Sequence, residues 1–122
     1  MRRALVALVA AAALAAAALP ASGGTEAESF MQVVEKEWSL VMSRLSVRSG
    51  RVTIEAVNFG TDAHDLVVQS KLKGSKPIQF KQMDPRGRTE RTLRMKAGRY
   101  ALWCSLPGHR TKGMQATLTV RG

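Results

Sequence analysis

Apolar and polar positions alternate most clearly over Arg51-Val-Thr-Ile-Glu-Ala-Val-Asn58, where Val52, Ile54 and Ala56 fall on one face. The pattern predicts a strand that opens after the turn signal Ser49-Gly50 and stops at Asn58-Phe-Gly60. The same period of two recurs downstream. His64, Leu66 and Val68 share one parity, as do Tyr100, Leu102 and Cys104, and again Met114, Ala116, Leu118 and Val120. Thr89 to Met95 reads as a further strand, and Lys96-Ala-Gly98 as the turn that leads from it. Between these, Lys71 to Arg88 carries Pro77, Pro85 and Gly87, which predicts a long connection with one short strand. Phe30 to Trp38 and Ser39 to Val47 read as strands, although Phe30, Val33, Val34, Trp38 and Val41 also fit a helical period. Short strands separated by turn signals, without a sustained helical pattern, predict an all-β fold: an antiparallel Greek-key β-sandwich.

The N-terminus breaks this rhythm. Arg2 and Arg3 precede an apolar run from Ala4 to Leu19 and then Pro20-Ala-Ser-Gly-Gly24, the three-part layout of a secretory signal peptide. The run is Ala-rich and short of the ~20 strongly apolar residues of a membrane span, so removal rather than stable membrane insertion is expected. Residues 1–23 are therefore read as a signal peptide, 24–29 as a short tether and 30–122 as one domain. An exported chain in the periplasm or outside the cell is the implied destination. Roughly 100 residues remain, enough for one core and too few for two.

Charge and cysteine content narrow the reading further. The chain carries 19 Lys plus Arg against 9 Asp plus Glu. Between Lys71 and Arg99 the only acids are Asp84 and Glu90, so this stretch predicts a positive region suited to an acidic partner or to anionic headgroups. Export, few aromatics and the lack of any nucleic-acid motif argue against a nucleic-acid partner. The alternative is a merely solvated basic face. One cysteine excludes an internal disulfide, which small exported domains commonly use, so Cys104 calls for another role.

That role is suggested by its neighbours. Tyr100-Ala-Leu-Trp-Cys104-Ser-Leu-Pro-Gly-His109-Arg-Thr-Lys-Gly-Met114 places a thiol, an imidazole and a thioether at even spacing across a Pro-Gly turn. The only other histidine is His64. One Cys, two His and a weak Met form a donor set suited to copper, because thiolate and thioether favour the reduced ion while imidazole holds both states. Cys with two His also suits tetrahedral zinc. Met114 also continues an apolar face, so plain core is the alternative, while the even spacing favours ligation.

These residues resemble the cupredoxin, or blue copper, family. The loop spacing is most similar to the longer ligand loops of rusticyanin and auracyanin. The resemblance implies a cupredoxin-type sandwich holding one copper per chain through His64, Cys104, His109 and Met114. It implies a monomeric one-electron carrier between redox partners rather than an enzyme, with the His109 edge emerging through an apolar patch of Leu106, Pro107 and Gly113. Copper delivery or resistance through the same ligands is the alternative. Copper oxidases and binuclear sites need further histidines or a second cysteine, which this chain lacks. Asp65 stands where plastocyanin-like members carry Asn, whose amide ties the ligand loops together. Trp38, Trp103 and Tyr100 are read as packing residues, and the scattered Met31, Met42, Met83 and Met95 form no copper-carrying tract.

Overall fold

A computed structural model describes residues 17–19, 23 and 27–122. Apart from 17–19 and 23, the predicted signal peptide lies outside the described residues. Nine strands are present among them: β1 (Ser29–Lys36), β2 (Ser39–Met42), β3 (Ser46–Arg48), β4 (Gly50–Asn58), β5 (Val67–Ser70), β6 (Ile78–Gln79), β7 (Arg88–Met95), β8 (Gly98–Trp103) and β9 (Gln115–Arg121). The helical alternative for the segment after the tether is not realised. Val33 and Val34 pair with Met42 and Val41 across a β1–β2 hairpin.

The strands form two layers, ordered β2-β1-β4-β7 and β3-β9-β8-β5-β6. The sheets are mixed rather than wholly antiparallel, because β1 lies parallel to β4 and β3 parallel to β9. The reason is topological. After β1 the chain makes a round trip through β2 in its own layer and β3 in the other, so β4 comes back beside β1 running the same way.

Inward-facing residues of both layers make one core, including Met31, Val33, Val52, Ile54, Leu66, Val68, Leu102, Leu118 and Val120. Burying each such side chain contributes about 1.5–3 kcal/mol. A one-residue slip of β4 would turn Arg51, Thr53 and Glu55 inward in place of Val52, Ile54 and Ala56, so the pattern fixes the register. The tether joins this frame at its last residues. Glu28 accepts a hydrogen bond from the Thr53 hydroxyl and lies 3.7 Å from the Arg51 guanidinium.

Register also fixes the two ends of the sandwich. Asn58 at the end of β4 pairs with Glu35, and Trp103 at the end of β8 pairs with Gln115 at the start of β9. Cys104 and Met114 therefore lie together at one end. Gly50 pairs with Met95 and Gly98 with Val120 at the other.

Candidate metal centre

His64 sits outside the strands, in an isolated antiparallel bridge with Met83. The His64 N–H donates to the Met83 carbonyl at 3.1 Å, and the Met83 N–H returns a bond to the His64 carbonyl at 2.8 Å. Asn58 locks this loop. Its side-chain amide donates to the Asp62 and Met83 carbonyls while its oxygen accepts from the Gly60 N–H. The residue thus does more than end β4. It is wholly buried with its hydrogen-bonding groups occupied.

Cys104 follows β8 directly, and the loop from Ser105 to Gly113 returns the chain to β9. Gly108 adopts a φ of 77°, the left-handed conformation expected of a glycine just before His109. The Cys104 N–H donates to the Met114 carbonyl and the Met114 N–H to the His109 carbonyl. Met114 is joined to the cluster through its backbone, and its side chain is fully buried.

The side chains of three predicted donors converge. His64 Nδ1 lies 3.2 Å from His109 Nδ1. Cys104 Sγ lies 3.5 Å from His109 Nδ1 and 4.0 Å from His64 Nδ1. Metal–nitrogen bonds of about 2.05 Å and metal–sulfur bonds of about 2.3 Å would separate such donors by roughly 3.4–3.6 Å (N to N) and 3.6–3.8 Å (N to S) around one ion. The triangle has the size of a first-row metal site. His64 and Cys104 are fully buried and His109 half-buried, so one imidazole communicates with the surface.

Orientation of the two imidazoles comes from a segment the sequence did not point to. In the β1–β2 turn, Glu37 Oε1 lies 2.9 Å from His64 Nε2. This arrangement places the proton on Nε2 and leaves the Nδ1 lone pair facing Cys104 and His109. The Glu37 carboxylate also accepts from the Thr61 and Asp62 N–H groups, and chiefly through these bonds its pKa is lowered to about 2. Gly60 makes room for it, since a Cβ there would overlap the carboxylate. Next to it, the Trp38 ring meets the His109 ring edge-on at 4.8 Å, and Lys112 Nζ sits 4.1 Å from the Trp38 ring centre. Gly113 is required beneath it: φ is 128°, and a Cβ would lie 2.7 Å from the Trp38 carbonyl oxygen. Trp38 is therefore neither core nor isolated surface. No sequence signal marked Glu37, because an acidic residue in a hairpin turn is ordinarily solvated.

Asp65 resolves the loop-tying question by reversing the polarity. Its carboxylate accepts from the Ser105 N–H at 2.6 Å, from the Ser105 hydroxyl and from Gln79 Nε2 at 2.9 Å, so it still joins the two loops. The Asp65 backbone N–H donates a hydrogen bond to the sulfur, at 3.4 Å from Sγ. Burial pushes the Cys104 thiol up to about 11, against the pull of the Asp65 and Leu106 N–H groups. A metal at this thiol must displace the proton.

No protein-family model matches the chain, and no curated relative does. Solved structures do share its architecture. Auracyanin A, a "blue" copper protein from the green thermophilic photosynthetic bacterium Chloroflexus aurantiacus, superimposes with a TM-score of 0.62 at 16% identity, covering 78% of this chain and all of that one. Amicyanin from Paracoccus versutus gives 0.57 at 17% identity, covering 74% and 79%. A multicopper oxidase gives 0.58 at 13% identity, with 75% of this chain matching 44% of that larger one. The protein has the cupredoxin fold.

Proposed function

We propose that the chain is an exported, mononuclear type 1 copper protein that carries single electrons between redox partners. The observation that supports this reading most is the convergence of His64 Nδ1, Cys104 Sγ and His109 Nδ1 within 4.0 Å of one another at one end of a rigid sandwich. Copper bound there supplies a one-electron couple. His64, Cys104 and His109 would hold it, and Met114 would supply a weak fourth donor. The chain's task is to keep these donors still when the charge at the centre changes. Glu37 fixes one imidazole, Trp38 packs against the other, and Asp65 ties the loops that carry His64 and Cys104. Buried Leu66 and Phe80 next to these loops help exclude water.

The electron path leads through His109. Half-buried Leu106 and exposed Pro107 and Gly108 precede it on the same loop, and exposed Phe59 lies at the same end of the sandwich. Arg110 and Lys112 stand beyond it, stacked on Trp103 and Trp38. This is an apolar surface with cationic neighbours, suited to a partner with an acidic margin. Its single Cys and two His furnish one mononuclear centre, which suits a monomeric carrier rather than a multicopper oxidase.

The test is redox cycling. Copper-loaded protein is expected to take up and release one electron per chain reversibly, with fast self-exchange measured by NMR line broadening. Tight binding without reversible cycling would instead indicate delivery or storage.

Glu37 provides a second measurement. Glu37→Ala is expected to lower metal affinity about 10- to 100-fold in a chelator competition, because the imidazole loses the group that orients it. Glu37→Gln keeps an acceptor for Nε2–H but removes a negative charge, so affinity should largely recover and the reduction potential should rise. Unchanged affinity in the Ala variant would remove Glu37 from the site.

A further inference from the structure

The net positive charge of the chain is concentrated at the pole opposite the metal centre. Lys71, Lys73 and Lys76 lie on the β5–β6 connection, which leaves β5 where Ser70 pairs with Tyr100. Arg94, Lys96 and Arg99 surround the β7–β8 turn. Arg48, Arg51 and Arg121 join them through the register of β3, β4 and β9, in which Arg48 pairs with Arg121 and Arg51 with Arg94. All of these are exposed. Against them stand only Glu28, among the acidic side chains described at this pole, and the Gly122 carboxylate. The acids of the other end and its flank, Glu37, Glu55, Asp62, Asp65 and Asp84, come much closer to balancing Lys36, Lys81, Arg86, Arg88, Arg110 and Lys112, with Arg88 paired to Glu55.

Three further observations give this pole a direction. Leu72, 68% exposed, projects between Lys71 and Lys73, and Phe30 is 48% exposed near the start of β1. A depression of about 370 Å³ runs between Ser70, Ser75, Lys76, Arg94, Lys96 and Tyr100, pairing cations and hydroxyls with an aromatic wall. The chain also enters the sandwich here, since Ser29 pairs with Val52 near the start of β4.

We infer that this pole is a docking surface for an anionic phospholipid bilayer, which seats the protein with its metal end facing away from the membrane. Cations distributed around protruding apolar side chains match phosphate headgroups above an acyl boundary. Steering of a partner to His109 explains this charge poorly. The nine residues of β4 span about 26 Å, several times the ~8 Å screening length at physiological salt. The inference goes beyond the redox reading and does not depend on metal content.

The experiment is vesicle co-sedimentation of the exported chain without residues 1–23, with and without copper, on neutral phosphatidylcholine vesicles and on vesicles about one-third phosphatidylglycerol. Tighter, salt-sensitive binding to the anionic vesicles is expected, equal in the two metal states. Lys73→Gln with Lys96→Gln should weaken it roughly 20-fold, whereas Lys36→Gln with Lys81→Gln, the same charge loss from the metal end, should change it less than about threefold. Equal losses in the two pairs would show attraction to overall charge and overturn the inference. Equal binding to both vesicle types would show that the cations of this pole do not recognise anionic headgroups and overturn it as well. Direct binding of millimolar inorganic phosphate without any vesicle binding would identify a soluble-anion site and overturn it too.

Discussion

Metal-free protein is expected to lose on the order of 4 kcal/mol of stability between about pH 5 and pH 8.5, and Glu35→Gln to abolish most of that loss. Glu35 faces inward from β1 in line with Met31 and Val33, is fully buried, and has no hydrogen-bond partner on either carboxylate oxygen among the described residues. Burial first, and the Asp65 charge second, raise its pKa from 4.5 to about 8. Between those values the folded state keeps a proton that the unfolded chain has released. Stability therefore falls as pH rises through the window. The Cys104 thiol, raised from 9.0 to about 11, adds a small loss of the same sign only near the top of the window, so Glu35→Gln removes most of the effect and not all of it. Urea midpoints at the two pH values test this. Equal pH dependence in wild type and Glu35→Gln would contradict it.

The second large effect falls on Asp65. Asp65→Ala is expected to cost about 2–3 kcal/mol, because it removes charged acceptors from the Ser105 N–H, the Ser105 hydroxyl and Gln79. Exposure of Ser105 keeps the cost below the sum of three buried charged bonds, since water can replace part of what is lost. Asp65→Asn should cost well under half as much: its oxygen still accepts from the Ser105 N–H, and the Ser105 hydroxyl and Gln79 amide can reverse their roles. Urea denaturation of the metal-free variants supplies the comparison. Equal losses in the two variants would mean that charge, and not the tie between the loops, is the stabilising element.

Much of this was legible in residue parity. Val52, Ile54 and Ala56 announced β4, and the shared parity of Leu102 with Cys104 and of Leu118 with Met114 anticipated that Cys104 and Met114 are buried at a common end. Alternation carries this information because one face of each strand meets the core. It says nothing about direction, so the parallel pairs β1–β4 and β3–β9 were hidden. Nor does it reveal contacts between residues remote in sequence. Glu37 meets His64 across 27 positions and Asp65 meets Ser105 across 40, and both bonds exist only once the turns have folded. The basic stretch from Lys71 to Arg99 was visible as charge, but only the register showed that many of its cations lie at the end away from His109.

The central claim is that His64, Cys104, His109 and Met114 hold one copper ion inside a stiff β framework. Its most direct measurement is a visible absorption titration of the metal-free protein with copper(II). An intense thiolate-to-copper charge-transfer band should grow to one equivalent per chain, vanish in Cys104→Ala and weaken or shift in Met114→Ala. A colourless product, or a band that survives loss of the Cys104 sulfur, would contradict the assignment.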